Sequence, residues 1–127
     1  MKKDIENRQD IELLVVKFYE KVRSDAALGH IFNDVAKVNW EKHFPVMFDF
    51  WENVLFYTGT YEGNPMLIHQ HLHQAYPLTK AHFNRWNELF LETLDENFEG
   101  EKSILARQRA LSISTMMQIK ILSPDNF

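Results

Sequence analysis

Apolar positions recur along this chain with a period near 3.6, and almost nowhere with the alternation that a strand requires. From Asp10, a plausible N-cap, the residues Ile11, Leu14, Val15, Phe18 and Val22 form one stripe, with Tyr19 on its flank. A short second element, "DAALGHIFND", carries Leu28, Ile31 and Phe32. The clearest helix follows, with Asn39 placed to cap it. Trp40, Phe44, Met47, Phe48, Trp51 and Leu55 fall on one side of it, and Glu41, Lys42, Asp49, Glu52 and Asn53 on the other. His43 stands at the edge of that apolar face. Pro45 deletes a backbone hydrogen bond at a cost of about 3 kcal/mol inside a helix, so a late start or a kink near His43 is expected.

"TGTYEGNP" reads as a loop, with Asn64 and Pro65 as the cap and first turn of a short helix that "QAYPL" ends. Thr79 caps the next helix, whose stripe is Phe83, Trp86, Phe90 and Leu94, with Arg85, Glu88 and Glu92 outward and Gly100 at its end. The last helix spans about Ser103 to Ile121. Ala106, Ala110, Ile113, Met117 and Ile121 share one side of it, while Ile104 and Leu111 lie on the other, so cover on two faces is expected. The whole is an all-α fold in a single domain over 1–127, with a loose lead over 1–9 and a loose tail over 123–127.

Composition narrows the function. The apolar fraction of 45% and charged fraction of 25% are those of a soluble globular chain, but ten Phe and three Trp are many. That much ring surface fills a thick core or lines a pocket for something large and flat. A net charge of −4, with no basic stretch, argues against a nucleic-acid partner. Without cysteine there is no disulfide, thiolate catalysis or cysteine-held metal. "MKKDIENRQD" leads into no apolar run of signal-peptide type and no uncharged stretch is long enough to span a membrane, so a cytoplasmic protein without membrane insertion is expected. Acidic residues fall mostly on polar faces, the serines lack a presenting turn, and no glycine-rich phosphate loop is present.

Histidines carry what chemistry remains. His69, His71 and His73 fall in "NPMLIHQHLHQAYPL", half of the six in the chain. A strand would put all three on one face, whereas a helix aligns only His69 with His73. Spacing alone leaves three readings open: polar surface, a single ligand, or a two-histidine zinc site that lacks an HExxH motif. Tyr19, His43 and Trp86 make a different case. Each carries a polar tip on or beside the apolar stripe of a different helix. One such residue is ordinary core. Three of them, with a spare histidine on a fourth segment, suggest a dry pocket with inward donors, the arrangement that suits haem.

The sequence here resembles the truncated haemoglobins, in particular their third group, over nearly its whole length. The resemblance is carried by "FYEKVRSDAALGHIFND", "WEKHFPVMFDFWENVL", "YEGNPMLIH", "AHFNRWNELF" and "RQRALSISTMMQI", in that order and spacing. It implies a globin-like, shortened two-over-two helical sandwich around haem b. His69, four residues after Pro65, takes the place of the proximal iron ligand. The segment from His69 to Trp86 is a few residues longer than the family pattern, which makes His73 the rival. Tyr19, His43 (eight residues before Trp51) and Trp86 take the distal ligand-binding places. Phe32, Phe44, Met47, Leu72 and Phe83 would wall the haem, and His82, with Arg85 as a weaker candidate, would face its propionates.

Haem burial at about 25 cal/mol per Å² is a strong driving force. Hydroxyl and indole donors would hold a diatomic ligand that draws charge from the iron, each bond worth roughly 1.5–3 kcal/mol and expressed mainly as slower release. The resemblance thus implies dioxygen, nitric oxide or another small diatomic as partner, and oxygen or nitric oxide chemistry in place of bulk transport. A nitric oxide dioxygenase or peroxidase-like enzyme served by a reductase is the alternative. A haem-free interaction module comes third, and the chain is expected as a monomer or weak homodimer. On this register, His69→Ala abolishes or strongly weakens the Soret band of the haem-reconstituted chain and His71→Ala leaves it intact. Loss with His73→Ala and none with His69→Ala moves the ligand to His73.

Overall fold

The structure is a computed structural model that describes residues 2–35, 37–59 and 77–122. Four α-helices fill them: α1 (Arg8–Ser24), α2 (Trp40–Phe56), α3 (Lys80–Asn97) and α4 (Glu101–Leu122), with one π turn at Ile31–Val35 after α1. No strand occurs among the described residues. Helix α1 lies against α2 and α3, and α4 lies against α3 and α2. Two pairs of helices are thereby laid one over the other, the two-over-two sandwich that the resemblance implies.

Each stripe finds a partner, though caps and outer faces depart from expectation. Ile11, Leu14, Val15, Phe18 and Val22 are all buried, and Tyr19 with them. The cap of α1 is Asn7, not Asp10: the Asn7 side chain accepts from the Asp10 N–H at 3.0 Å. Asp10, three positions in, reaches back and accepts from the Glu6 N–H at 2.9 Å and from Lys3 Nζ at 2.8 Å. Residues ahead of the cap lie along the turn between α3 and α4. Ile5 is buried, Lys3 accepts from the Glu99 N–H, and the Asp4 carboxylate accepts from the Lys102 and Ser103 N–H groups at 2.8 and 2.9 Å. Asp4 therefore caps α4 from across the sequence. Gly100 makes room for it, since a Cβ there would stand 2.5 Å from the Asp4 carboxyl carbon.

Helix α2 starts where Asn39 caps it and continues through Pro45, so the expected late start is not found. Pro45 and Glu41 both face solvent, and water can take the Glu41 carbonyl that loses its partner. On α4 the expected second covered face is also absent. Ile104 is 56% and Leu111 38% exposed, while Ala106, Ala110, Met117 and Ile121 are buried. Small alanines let α4 approach its neighbours closely on one side only.

The corner after α1 sets where Phe32 goes. Asp25 Oδ2 accepts from the Ala27 and Leu28 N–H groups at 2.9 and 3.1 Å, and its carbonyl accepts from the Gly29 N–H. Gly29 passes so close to the end of α1 that an added Cβ would stand 2.6 Å from the Arg23 carbonyl oxygen. Gly29→Ala therefore forces the corner apart. It lowers unfolding stability by about 1–3 kcal/mol, the range for overpacking a tight contact, as a shift of the urea midpoint at unchanged slope checks.

Candidate functional site

Aromatic side chains of α1, the π turn and the first half of α2 converge on one place. The Tyr19 ring lies 4.8 Å from Phe18, 5.2 Å from Trp40, 5.6 Å from His43 and 6.0 Å from Phe32, centroid to centroid. Phe44 closes the group at 6.2 Å from Tyr19 and 5.2 Å from Trp40. Tyr19 and His43 are thus brought together edge to face, as two donors beside one another need to be. Burial pushes the Tyr19 phenol above its ordinary value, so it remains a proton donor at any physiological pH. Its hydroxyl makes no hydrogen bond among the described residues, while His43 Nε2 is closed off from solvent.

Trp86 comes from the other pair of helices. Its ring stacks on Phe90 at 5.5 Å with 4° between planes and takes the Phe18 ring edge-on at 5.2 Å. It reaches Tyr19 through Phe18 and makes no ring contact of its own with Tyr19. Phe83 is buried with Ile31, Leu78, Met117 and Ile121, and Phe32 packs against both this cluster and the main core. His82 is engaged at the start of α3: its N–H donates to the Thr79 hydroxyl and its Nδ1 accepts from the Thr79 N–H at 3.0 Å. Arg85 is held by Asp25, Nε to Oδ1 at 2.7 Å, and by Glu88. His69, Leu72 and His73 lie outside the described residues, as do His71, Asn64 and Pro65.

Whether these residues suit a large flat apolar group can be asked of α2. Only Trp51 and Leu55 are fully buried on it, whereas Trp40, Phe44, Met47, Phe48, Phe50 and Val54 are half-buried. A helix that apolar usually buries far more of its rings against protein. This wide face packs against the core, stays only partly covered, and adjoins the buried phenol. Both features fit haem, which is flat, apolar and served by a donor on one side. Trp40, which the sequence places on the α2 stripe without a role in the pocket, belongs to the site by contact. Its spacing of three from His43 is the signal that marks it.

Comparison with known proteins agrees with the geometry. Residues 3–122 match the family described as bacterial-like globin. A group 3 truncated hemoglobin, ctb, of Campylobacter jejuni is 34% identical over 121 residues, covering 93% of each chain. The crystal structure of a group III truncated hemoglobin from Campylobacter jejuni superposes with a TM-score of 0.82 at 32% identity, covering 95% of both chains. The chain belongs to the bacterial-like globins, and among them to the truncated haemoglobins of the third group. Membership implies a haem-binding globin.

Asp25, which holds the corner beneath Phe32, gives the site region its pH dependence. Burial pushes its carboxyl up, but Arg85 and the Ala27 and Leu28 amides outweigh this and hold it below its ordinary 3.8. A carboxyl depressed in the fold contributes stability above its unfolded value and loses it as pH falls through the folded one. Asp25→Asn accordingly lowers stability at neutral pH and flattens its decline below about pH 3.8, measured by urea unfolding at stepped pH.

Proposed function

We propose that this globin holds haem b with His69 as the proximal iron ligand and binds dioxygen, nitric oxide or a similar diatomic beside Tyr19, His43 and Trp86. The observation that carries the reading is the Tyr19 phenol: buried among rings, kept protonated, and next to His43 at 5.6 Å. Haem, when bound, supplies the iron on which a small ligand is held. All else falls to side chains. Phe32, Phe44 and Met47, with Leu72 and Phe83, would exclude water from the ring and strengthen every polar contact inside. Phe18 backs the Tyr19 ring. Stacking on Phe90 holds the plane of the Trp86 indole. His43, one turn inside α2, can add a third donor or move aside.

Donors on several sides slow ligand release, which suits oxygen or nitric oxide chemistry more than transport. Chemistry that consumes the ligand requires electrons, and a cytoplasmic reductase is the partner this reading names. Hemin titrated into the purified chain is expected to give a saturating Soret band; its absence sinks the proposal. With haem bound, Tyr19→Phe removes one hydrogen bond to a charge-bearing acceptor, worth roughly 1.5–3 kcal/mol. Oxygen dissociation should then quicken about tenfold or more in stopped flow, with association changed much less.

A further inference from the structure

Trp40, to which the resemblance assigns no role, touches four rings of the site: Tyr19, Phe32, His43 and Phe44. It is the first residue of α2, and Asn39 fixes that end of the helix by accepting from the Lys42 N–H. Its ring meets Tyr19 at 5.2 Å, His43 at 5.5 Å and 78°, and Phe44 at 5.2 Å, and it stacks on Phe32 at 6.2 Å and 24°. On its remaining side the guanidinium of Arg23 stands 4.9 Å from the ring centroid. Arg23 is one turn beyond Tyr19 on α1, so Trp40 is held by the same helix that carries the phenol. The Arg23 carbonyl also accepts from Asn33 Nδ2 at 3.2 Å, which ties this point to the π turn. Three segments therefore meet on one half-buried indole at the solvent edge of the site.

We infer that Trp40, clamped by Arg23, is a positioning residue of the distal pocket. It holds the His43 ring against Tyr19 and limits how readily His43 swings aside for a passing ligand. The inference rests on the haem reading above for its kinetic part and on the protein alone for its geometric part. A bulky ring packed edge-on restricts the rotamers open to its neighbour, and a cation over its face adds attraction that an isosteric neutral side chain cannot supply. Ordinary core packing would give stability without control of His43, and the two can be told apart.

The test uses the full chain and three variants: Trp40→Leu, Trp40→Phe and the exposed Arg23→Gln. The His43 ring proton resonances are recorded by NMR on the chain as purified. Carbon monoxide recombination after photolysis is then measured on the hemin-loaded, reduced protein. Trp40→Leu is expected to move and broaden the His43 resonances and to speed recombination about tenfold, and Arg23→Gln about two- to fivefold, the scales set by aromatic and cation–π contacts. Trp40→Phe should restore most of both. Lower stability with unchanged resonances and rates would reduce Trp40 to core packing and overturn the inference. If Trp40→Leu does not fold, Arg23→Gln decides, and silence in both measurements overturns it equally. A chain that takes up no hemin refutes the haem reading instead, and the His43 resonances then settle the positioning role alone.

Discussion

Three helices take their register from one phenylalanine. Phe90, fully buried on α3, receives Phe18 of α1 edge-on at 5.1 Å and stacks on Trp51 of α2 at 4.9 Å. Rings of this size dominate core energetics, and offset or edge-on pairs fix angle as well as distance. Tyr19, Trp86 and His43 are each tied to this junction by a short covalent step. Tyr19 follows Phe18 directly, Trp86 precedes Phe90 by one turn, and His43 precedes Trp51 by two. Tyr19 and His43 thereby meet, and Trp86 stands behind Phe18. Ion pairs then trim the edges: Arg8 reaches Asp49 and Glu52 of α2, and Lys21 reaches Glu92 and Glu96 of α3. As surface contacts they steer α1 more than they stabilise it.

Helix α2 divides its loyalties. Its lower half, Trp51 and Leu55, belongs to the core, and its upper half keeps its rings half-buried beside Tyr19. Rings left partly in water contribute less to folding than they could. A ligand that covers them stabilises the folded chain by mass action, so occupancy and stability are one equilibrium in a chain of this design. That division also explains how Pro45 is tolerated, since it stands on the outer side where water replaces the missing bond.

Much of this was legible in the residues. Periodicity located four helices and their inner faces, because burial of one stripe is a local property of sequence. Order and spacing of motifs supplied the family, and Tyr19 and His43 stood out as polar tips at the edges of apolar stripes. What escaped depends on partners far away in the chain. Asn7 displaced Asp10 as cap because Asp10 was drawn to Lys3 and Glu6. The outer face of α4 carries Ile104 and Leu111 in solvent, since periodicity shows a face without showing what meets it. Trp40 read as filler because its meaning lies in contacts with α1 and the π turn. His69 and His73 lie outside the described residues, so the proximal side rests on the motif.

The Asp4 cap of α4 has a bearing on the order in which the molecule assembles. The carboxylate and the amides it satisfies are 98 and 99 positions apart. Closing so long a loop is slow, and contacts of high sequence separation form late. The amides at the start of α4 gain this protein partner only when the N-terminal segment has docked beside Gly100. The N-terminal segment and the start of α4 act as a clasp, and a half-made chain emerging during synthesis has no means of fastening it.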